Sequence, residues 1–475
     1  MCAVKTLKDL LRQWNIWPQH HGRIATIDAV KAAPPPSPLA PVDLTNPAQV
    51  AGVMDVAARI GDILLSSGTS NRDTVAQIHA VASAYGLHYA HVDITLNTIT
   101  IFSTVGTEKK TPVSVFRVVS HMRTDFSKLS EVDRLIRSIQ AGATSPELAE
   151  KILDGLHRSP ATYGFKTSLV GWGVFAAAVS VMLGGGPLVA LVSFVIGIAI
   201  IVCNTLLSKH RLPPFFQNIF GGFIATVPAS MVFSWATTAG ITIAPSHIIA
   251  AGIVVMLAGL TLVQSLQDGI TGAPVTASAR FFETLLLTSA IVAGVGIGIQ
   301  VSGLLGMTLP PLEPVLLSPN LSTSTVRVAA GMVASISFAV ACYAEVSSVI
   351  VAGCTAGVGA GIYYLVLLPT NMSVITATAI AATVIGFAGG LLARRYLIPP
   401  LMTAISGITP LLPGLAIYRG MYAALNEQML VGFTNMAVAL SIASALAAGV
   451  VLGEWLARLL RRPPRLNFYR AFRRP

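Results

Sequence analysis

Asp268, Arg280 and Glu283 sit in one short polar run, Gln264–Glu283 (QSLQDGITGAPVTASARFFE), inside an otherwise nearly unbroken apolar sequence. Charge beside a bilayer is costly enough that it usually serves a purpose. A carboxylate taken out of water can hold a proton near neutral pH, so Asp268 is a proton-coupling candidate. The alternative is a solvated residue at the end of a helix. Glu283 lies at i+3 from Arg280, a spacing that lets the two pair, and is a second coupling candidate. Gln264, Gln267, Thr271 and Arg280 carry the amide, hydroxyl and guanidinium groups that can bind a small polar solute. Gly269, Gly272 and Pro274 weaken or end a helix there and mark a hinge.

Two other places carry comparable signals. Glu345, in ACYAEVSS, ends an apolar segment and is a third coupling candidate, facing either solvent or a cavity. The stretch SGITPLLPG contains Gly407, Pro410, Pro413 and Gly414, a density of helix breakers that predicts an interrupted helix. Backbone groups freed at membrane depth are tolerated only where they are buried in protein or line a cavity. A zwitterionic amino acid suits such a break, with its carboxylate at a half-helix N-terminus and its ammonium on carbonyls. Ser406 and Thr409 are placed to reach a substrate hydroxyl. A proline kink satisfied by neighbouring helices is the other reading.

The elements that must position these groups follow from composition. Of 475 residues, 53% are hydrophobic and 11% charged, with mean hydropathy +0.72, where a soluble protein carries about a quarter charged residues. The chain reads as a multi-pass membrane protein. Its formal charge of +11 collects in the first part, in short loops and at the end, the pattern of membrane topology and not of nucleic-acid binding. The four cysteines have no metal or disulfide spacing. His91 and Asp93 share a strand face, but HExxH, GxSxG and P-loop signatures are missing, so neither a cofactor, a metal nor an enzymatic activity is expected.

Residues 1–44 comprise a basic segment and the proline-rich AAPPPSPLAP, a stiff linker. Residues 45–160 predict a small soluble α+β domain. Asn46 caps a first helix, a second runs through Thr74–Tyr85, and HVDITLNTITIF alternates as a hairpin joined by a third strand at Val113–Val119. Helices at Lys128–Ala141 and Pro146–His157 complete it. Ten apolar spans of about 20 residues then fall near 167–185, 188–207, 217–238, 247–266, 282–302, 327–345, 347–368, 373–393, 398–417 and 430–456. An even number of spans with a cytoplasmic N-terminal domain keeps most loop arginines and lysines, and the basic tail 458–475, inside; Arg327 and Arg419 fall outside.

Shifting the sequence by 155 residues aligns Pro245–Gly298 with Pro400–Gly453 without a gap, matching Pro245/Pro400, Gly252/Gly407, Gly294/Gly449 and Gly298/Gly453. Residues 161–310 and 311–457 then form two halves of five spans each, and an odd count reverses the second half. That is the inverted-repeat plan of secondary transporters with alternating access. Asp268, Arg280 and Glu283 have no charged counterparts in the second half.

At GDILLSSGTSNRD, LVQSLQDGITGAPVTASARFFETLL, FAVACYAEVSSVI, GGLLARRYLIPP and ITPLLPGLAIYRGMYAALN the sequence closely resembles the threonine/serine exporter family. The resemblance implies export of L-threonine and L-serine across the plasma membrane, driven by the proton motive force, through a ten-span carrier whose N- and C-termini are cytoplasmic. Substrate, protons and the lipid bilayer are the expected partners, and self-association into a homo-oligomer is left open. It transfers no substrate ligands. Export of another small metabolite such as a dicarboxylate, and a membrane-tethered hydrolase or sensor acting through the N-terminal domain, are the alternatives.

Overall fold

The first helix begins where Asn46 accepts a hydrogen bond from the Ala48 amide and Pro47 presets the first turn. The computed structural model of the chain describes residues 42–105, 111–119, 125–158, 163–256, 258–307, 309–310 and 321–460. The basic N-terminal segment, the proline-rich AAPPPSPLAP and most of the arginine-rich tail lie outside the described residues.

Helix α1 (Pro47–Ser66) and α2 (Asn71–Ala84) precede strands β1 (His91–Thr95), β2 (Thr98–Val105) and β3 (Thr111–Val118), followed by α3 (Phe126–Gln140) and α4 (Pro146–Arg158). The sheet is antiparallel in the order β1-β2-β3, with Val92 opposite Ile101 and Ile101 opposite Val115. Period-two alternation turns Val92, Ile94, Ile99 and Ile101 to one face, where α1 covers the sheet. Burying each such side chain stabilises the unit by about 1.5–3 kcal/mol.

The remaining helices are α5 (Phe165–Met182), α6 (Pro187–Lys209), α7 (Pro214–Thr238), α8 (Pro245–Val255), α9 (Ala258–Ile270) and α10 (Pro274–Leu304). They continue as α11 (Leu321–Ala341), α12 (Val346–Gly361), α13 (Val374–Tyr396), α14 (Pro400–Ile408), α15 (Gly414–Leu425) and α16 (Met429–Leu459). Among the described residues eight helices are long and apolar enough to cross a membrane, and two bent pairs raise the total to as many as ten, so the fold is that of a polytopic membrane protein. The expected single helix at 247–266 is instead α8 and α9, bent by 51°. The expected break in SGITPLLPG is present: a 3-10 turn at Thr409–Leu411 separates α14 from α15, with a 46° bend.

Helices in the two parts of the bundle pair alike: α5 with α6 as α11 with α12, α7 with α10 as α13 with α16, and α9 with α10 as α15 with α16. Small residues set two of these crossings. A Cβ at Gly294 or Gly298 of α10 would meet Ile219 or Thr226 of α7, and one at Gly449 or Gly453 of α16 would meet backbone atoms of α13. The helix axes can approach this closely only without side chains.

The α+β unit seats against one end of the bundle. Phe126 is fully buried with its ring centroid 6.3 Å from that of Phe338, which also meets Trp172 at 5.8 Å and Phe175 at 5.7 Å. The Phe126 amide donates to the Cys342 carbonyl at 2.9 Å.

Candidate functional site

The hairpin of α9 and α10 builds the densest polar cluster at that seam. α9 ends as the Ala273 amide donates to the Asp268 carbonyl, Gly272 takes φ +98°, and Pro274 opens α10. A side chain is strained at that φ, so glycine sets the tight reversal. The reversal lays the first turns of α10 beside the last turn of α9 and brings Arg280 to Asp268. Arg280 Nη1 donates to Asp268 Oδ2 at 2.6 Å, and the carboxylate is 1% exposed.

Two other partners come from the α+β unit. Ser70 caps α2 through the Asp73 amide, which aims the first turn of α2 at the hairpin. Asn71 donates its main-chain N–H to Asp268 Oδ1 at 3.3 Å and its Nδ2 to Thr276 Oγ1 at 2.8 Å. The Leu96 amide, at the tip of the β1-β2 turn, donates to the same Thr276 Oγ1 at 3.1 Å. Asn71 Oδ1 and Arg280 Nη2 are buried with no hydrogen-bond partner. The site therefore holds a nearly dry ion pair with an unused acceptor and an unused donor beside it. Removing one member of such a pair strands the other, whereas removing both is far cheaper.

The other candidate residues fall as follows. Glu283 is exposed and does not pair with Arg280 as its spacing allows, because Arg280 faces α9 and meets a carboxylate out of water. Gln264 and Gln267 are half-buried, and Gln264 packs against Gly68 of the loop before α2. Thr271 spends its hydroxyl on the Gln267 and Asp268 carbonyls, closing the helix end. Gly269 lies in the last turn of α9. Glu345 precedes α12 and receives Arg134 of α3 at 2.5 Å, so it faces the α+β unit. Arg458 bridges Asp73 at 2.9 Å and Glu454 at 3.4 Å. These last pairs are partly exposed and contribute little to stability.

A second polar place lies at the interrupted helices. Ser406 is fully buried and its Oγ has no partner, while Thr409 donates to the Ile405 carbonyl at 2.7 Å. Gly407 leaves room for Ile385, and Pro410 lies within the 3-10 turn. Pro413 precedes Gly414, the first residue of α15, where a Cβ would run into Val254 in the last turn of α8. The carbonyl end of α8 thus abuts the amide end of α15, giving one negative and one positive half-helix terminus side by side. No hydrogen bond among the described residues joins Ser406 or Thr409 to the Asp268 cluster.

Asn71 and Thr276 were not legible as site residues. Their only signals are the helix-capping pattern of SSGTSNRD and one threonine beside Pro274, and neither says that the two touch across 205 residues. Replacing Thr276 by Val removes the acceptor of the buried Asn71 Nδ2 and of the partly exposed Leu96 amide. The expected loss is about 1–3 kcal/mol, mainly from Asn71, read as a lower melting temperature of the purified chain than that of a Ser278→Ala control on the exposed side of α10.

Two family profiles cover most of the chain: "Putative threonine/serine exporter" over residues 55–302 and "Threonine/Serine exporter, ThrE" over residues 327–456. A "Threonine/serine exporter" of Corynebacterium glutamicum is 66% identical over 451 residues, spanning 95% of this chain and 92% of that protein. A "Probable threonine/serine exporter" of Mycobacterium tuberculosis (strain ATCC 25618 / H37Rv) is 37% identical over 421 residues, spanning 86% and 77%. No solved structure matches the chain.

Proposed function

The chain belongs to the threonine/serine exporter family, and on that premise we propose that it exports L-threonine and L-serine across the cell membrane in exchange for protons. The observation that carries the transport reading is the meeting of two interrupted helices at Val254 and Gly414. The amide end of α15 suits the substrate carboxylate, the carbonyl end of α8 suits its ammonium, and the buried Ser406 hydroxyl suits the side-chain hydroxyl. Alternating access follows if residues 161–310 and 311–457 are two inverted halves rocking about these breaks. The paired helix packing and the glycines at Gly294/Gly449 and Gly298/Gly453 support that reading.

In this mechanism Asp268 carries the coupled proton. While ionised it holds Arg280 and the Asn71 amide, and so keeps the α+β unit on the cytoplasmic end of the bundle. Protonation releases Arg280 and the amide and lets that end open to substrate. Residues 45–160 then act as a soluble cytoplasmic domain that is part of the inner gate, with both termini cytoplasmic. One charge moved across 100 mV is worth about 2.3 kcal/mol, enough for a gradient of roughly fifty-fold.

Proteoliposomes loaded with labelled threonine under an inward proton gradient test the proposal. Efflux is expected to accelerate with the gradient, to collapse with a protonophore, and to be inhibited by serine. Gradient-independent efflux would sink the coupling, and inhibition by succinate without transport of threonine would move the substrate to the dicarboxylates.

A further inference from the structure

At the end of the bundle away from the α+β unit, the turn after α5 and the first turns of α11 enclose an open cleft of about 270 Å³. Val181, Gly184, Gly185, Thr323, Val326 and Arg327 line it. At about 30 Å³ for each water, the space is roughly nine water molecules, room for a small amino acid. Its walls are mainly apolar, and Arg327 is its only charged residue among those lining it.

Three observations concern Arg327. Its guanidinium carbon lies 5.9 Å from the centroid of the Tyr364 ring, and its Nε is buried without a hydrogen-bond partner. None of the ion pairs among the described residues includes it. A Cβ at Gly184 would lie 3.9 Å from Arg327 Nη2 and 3.7 Å from His247 Cε1, so the guanidinium and the first turn of α8 flank the same glycine.

Inward of the cleft α11 packs directly on the break between α14 and α15. One turn along α11 from Arg327, a Cβ on Gly331 would lie 3.6 Å from Pro410 Cβ in the break between α14 and α15. A cation at the rim of this cleft, held against an aromatic ring and in no ion pair among the described residues, suits a carboxylate. Guanidinium matches a carboxylate with two parallel N–H donors.

We propose that this cleft is the release-side binding site, in which Arg327 holds the α-carboxylate of the departing amino acid. Thr323 offers the hydroxyl, and Val181 and Val326 the apolar wall, against which a threonine-sized side chain rests. The proposal rests on the amino-acid export reading and adds to it a second station, separate from the break where Ser406 lies.

The test is threonine counterflow in right-side-out vesicles carrying the full chain, with Arg327→Gln and Arg327→Lys. The expected result for Arg327→Gln is a rise of roughly tenfold in the external threonine concentration giving half-maximal exchange. The internal half-saturation and the maximal rate stay near wild type, and Arg327→Lys falls between. Threoninol, which lacks the carboxylate, is expected to compete equally in wild type and Arg327→Gln. An unchanged external half-saturation, or equal changes on both faces, overturns the site and leaves Arg327 as packing for Tyr364. Should Arg327→Gln not assemble, an unchanged external constant in Arg327→Lys overturns it equally. Wild-type vesicles without threonine flux would instead overturn the export reading on which the site rests.

Discussion

Asp268→Asn is expected to reduce gradient-driven threonine efflux to the level seen without a gradient, while threonine–threonine counterflow persists within roughly tenfold of wild type. The substitution keeps the shape of the side chain and one carbonyl acceptor for Arg280 Nη1 or the Asn71 amide, which lie at 2.6 and 3.3 Å from the two carboxylate oxygens. It removes the titration. It also leaves Arg280, whose side chain is 12% exposed, without its charge partner. Stranding a buried ion in this way costs about 3–5 kcal/mol, so a drop in melting temperature is part of the prediction. Asp268→Asn with Arg280→Gln removes both charges and is expected to regain most of that stability without regaining coupling. The comparison separates a folding defect from a coupling defect. Gradient-driven efflux at the wild-type rate in Asp268→Asn would remove Asp268 from the mechanism.

Gly453→Leu is expected to prevent accumulation of folded, monodisperse protein, the largest structural effect of any single substitution proposed here. A Cβ at position 453 would fall on the Thr383 carbonyl and close to the Phe387 amide of α13, atoms that cannot swing aside as a side-chain tip can. Overpacking against side chains costs about 1–3 kcal/mol; against backbone the helices themselves must separate, and the long α13–α16 contact is lost with them. Gly298→Leu, at the corresponding place on α10 but facing Thr226, is expected to be milder because the Thr226 side chain is the nearest obstacle. Gly303→Ala in the same helix meets nothing within 4 Å and is expected to be neutral or slightly stabilising. Size-exclusion profiles and melting curves in detergent read all three.

Much of this architecture is encoded locally. Hydropathy gives the membrane class, because the bilayer sets a length of about 20 apolar residues for each span. Alternation in HVDITLNTITIF gives the hairpin, and Asn46 gives the first helix start, because capping depends on neighbours a few residues away; the caps Ser70 and Asp125 start the next helices two or three residues before the expected Thr74 and Lys128. Pro410, Pro413 and Gly414 give the break before α15, since proline removes a donor and clashes with the preceding turn. The companion break between α8 and α9 has no proline and escaped that rule.

Which groups meet was decided only by the tertiary structure. From the sequence, Arg280 has Glu283 at helical spacing on its own helix; in the fold it turns to Asp268 on the neighbouring one. Asp268 in turn receives the amide of Asn71, 197 residues away, because the α+β unit seats its helix start on the hairpin. Periodicity and hydropathy report on a residue's own element and its preferred surroundings. Partners between elements are chosen by which faces pack and which charges are thereby taken out of water, and those are properties of the assembled chain.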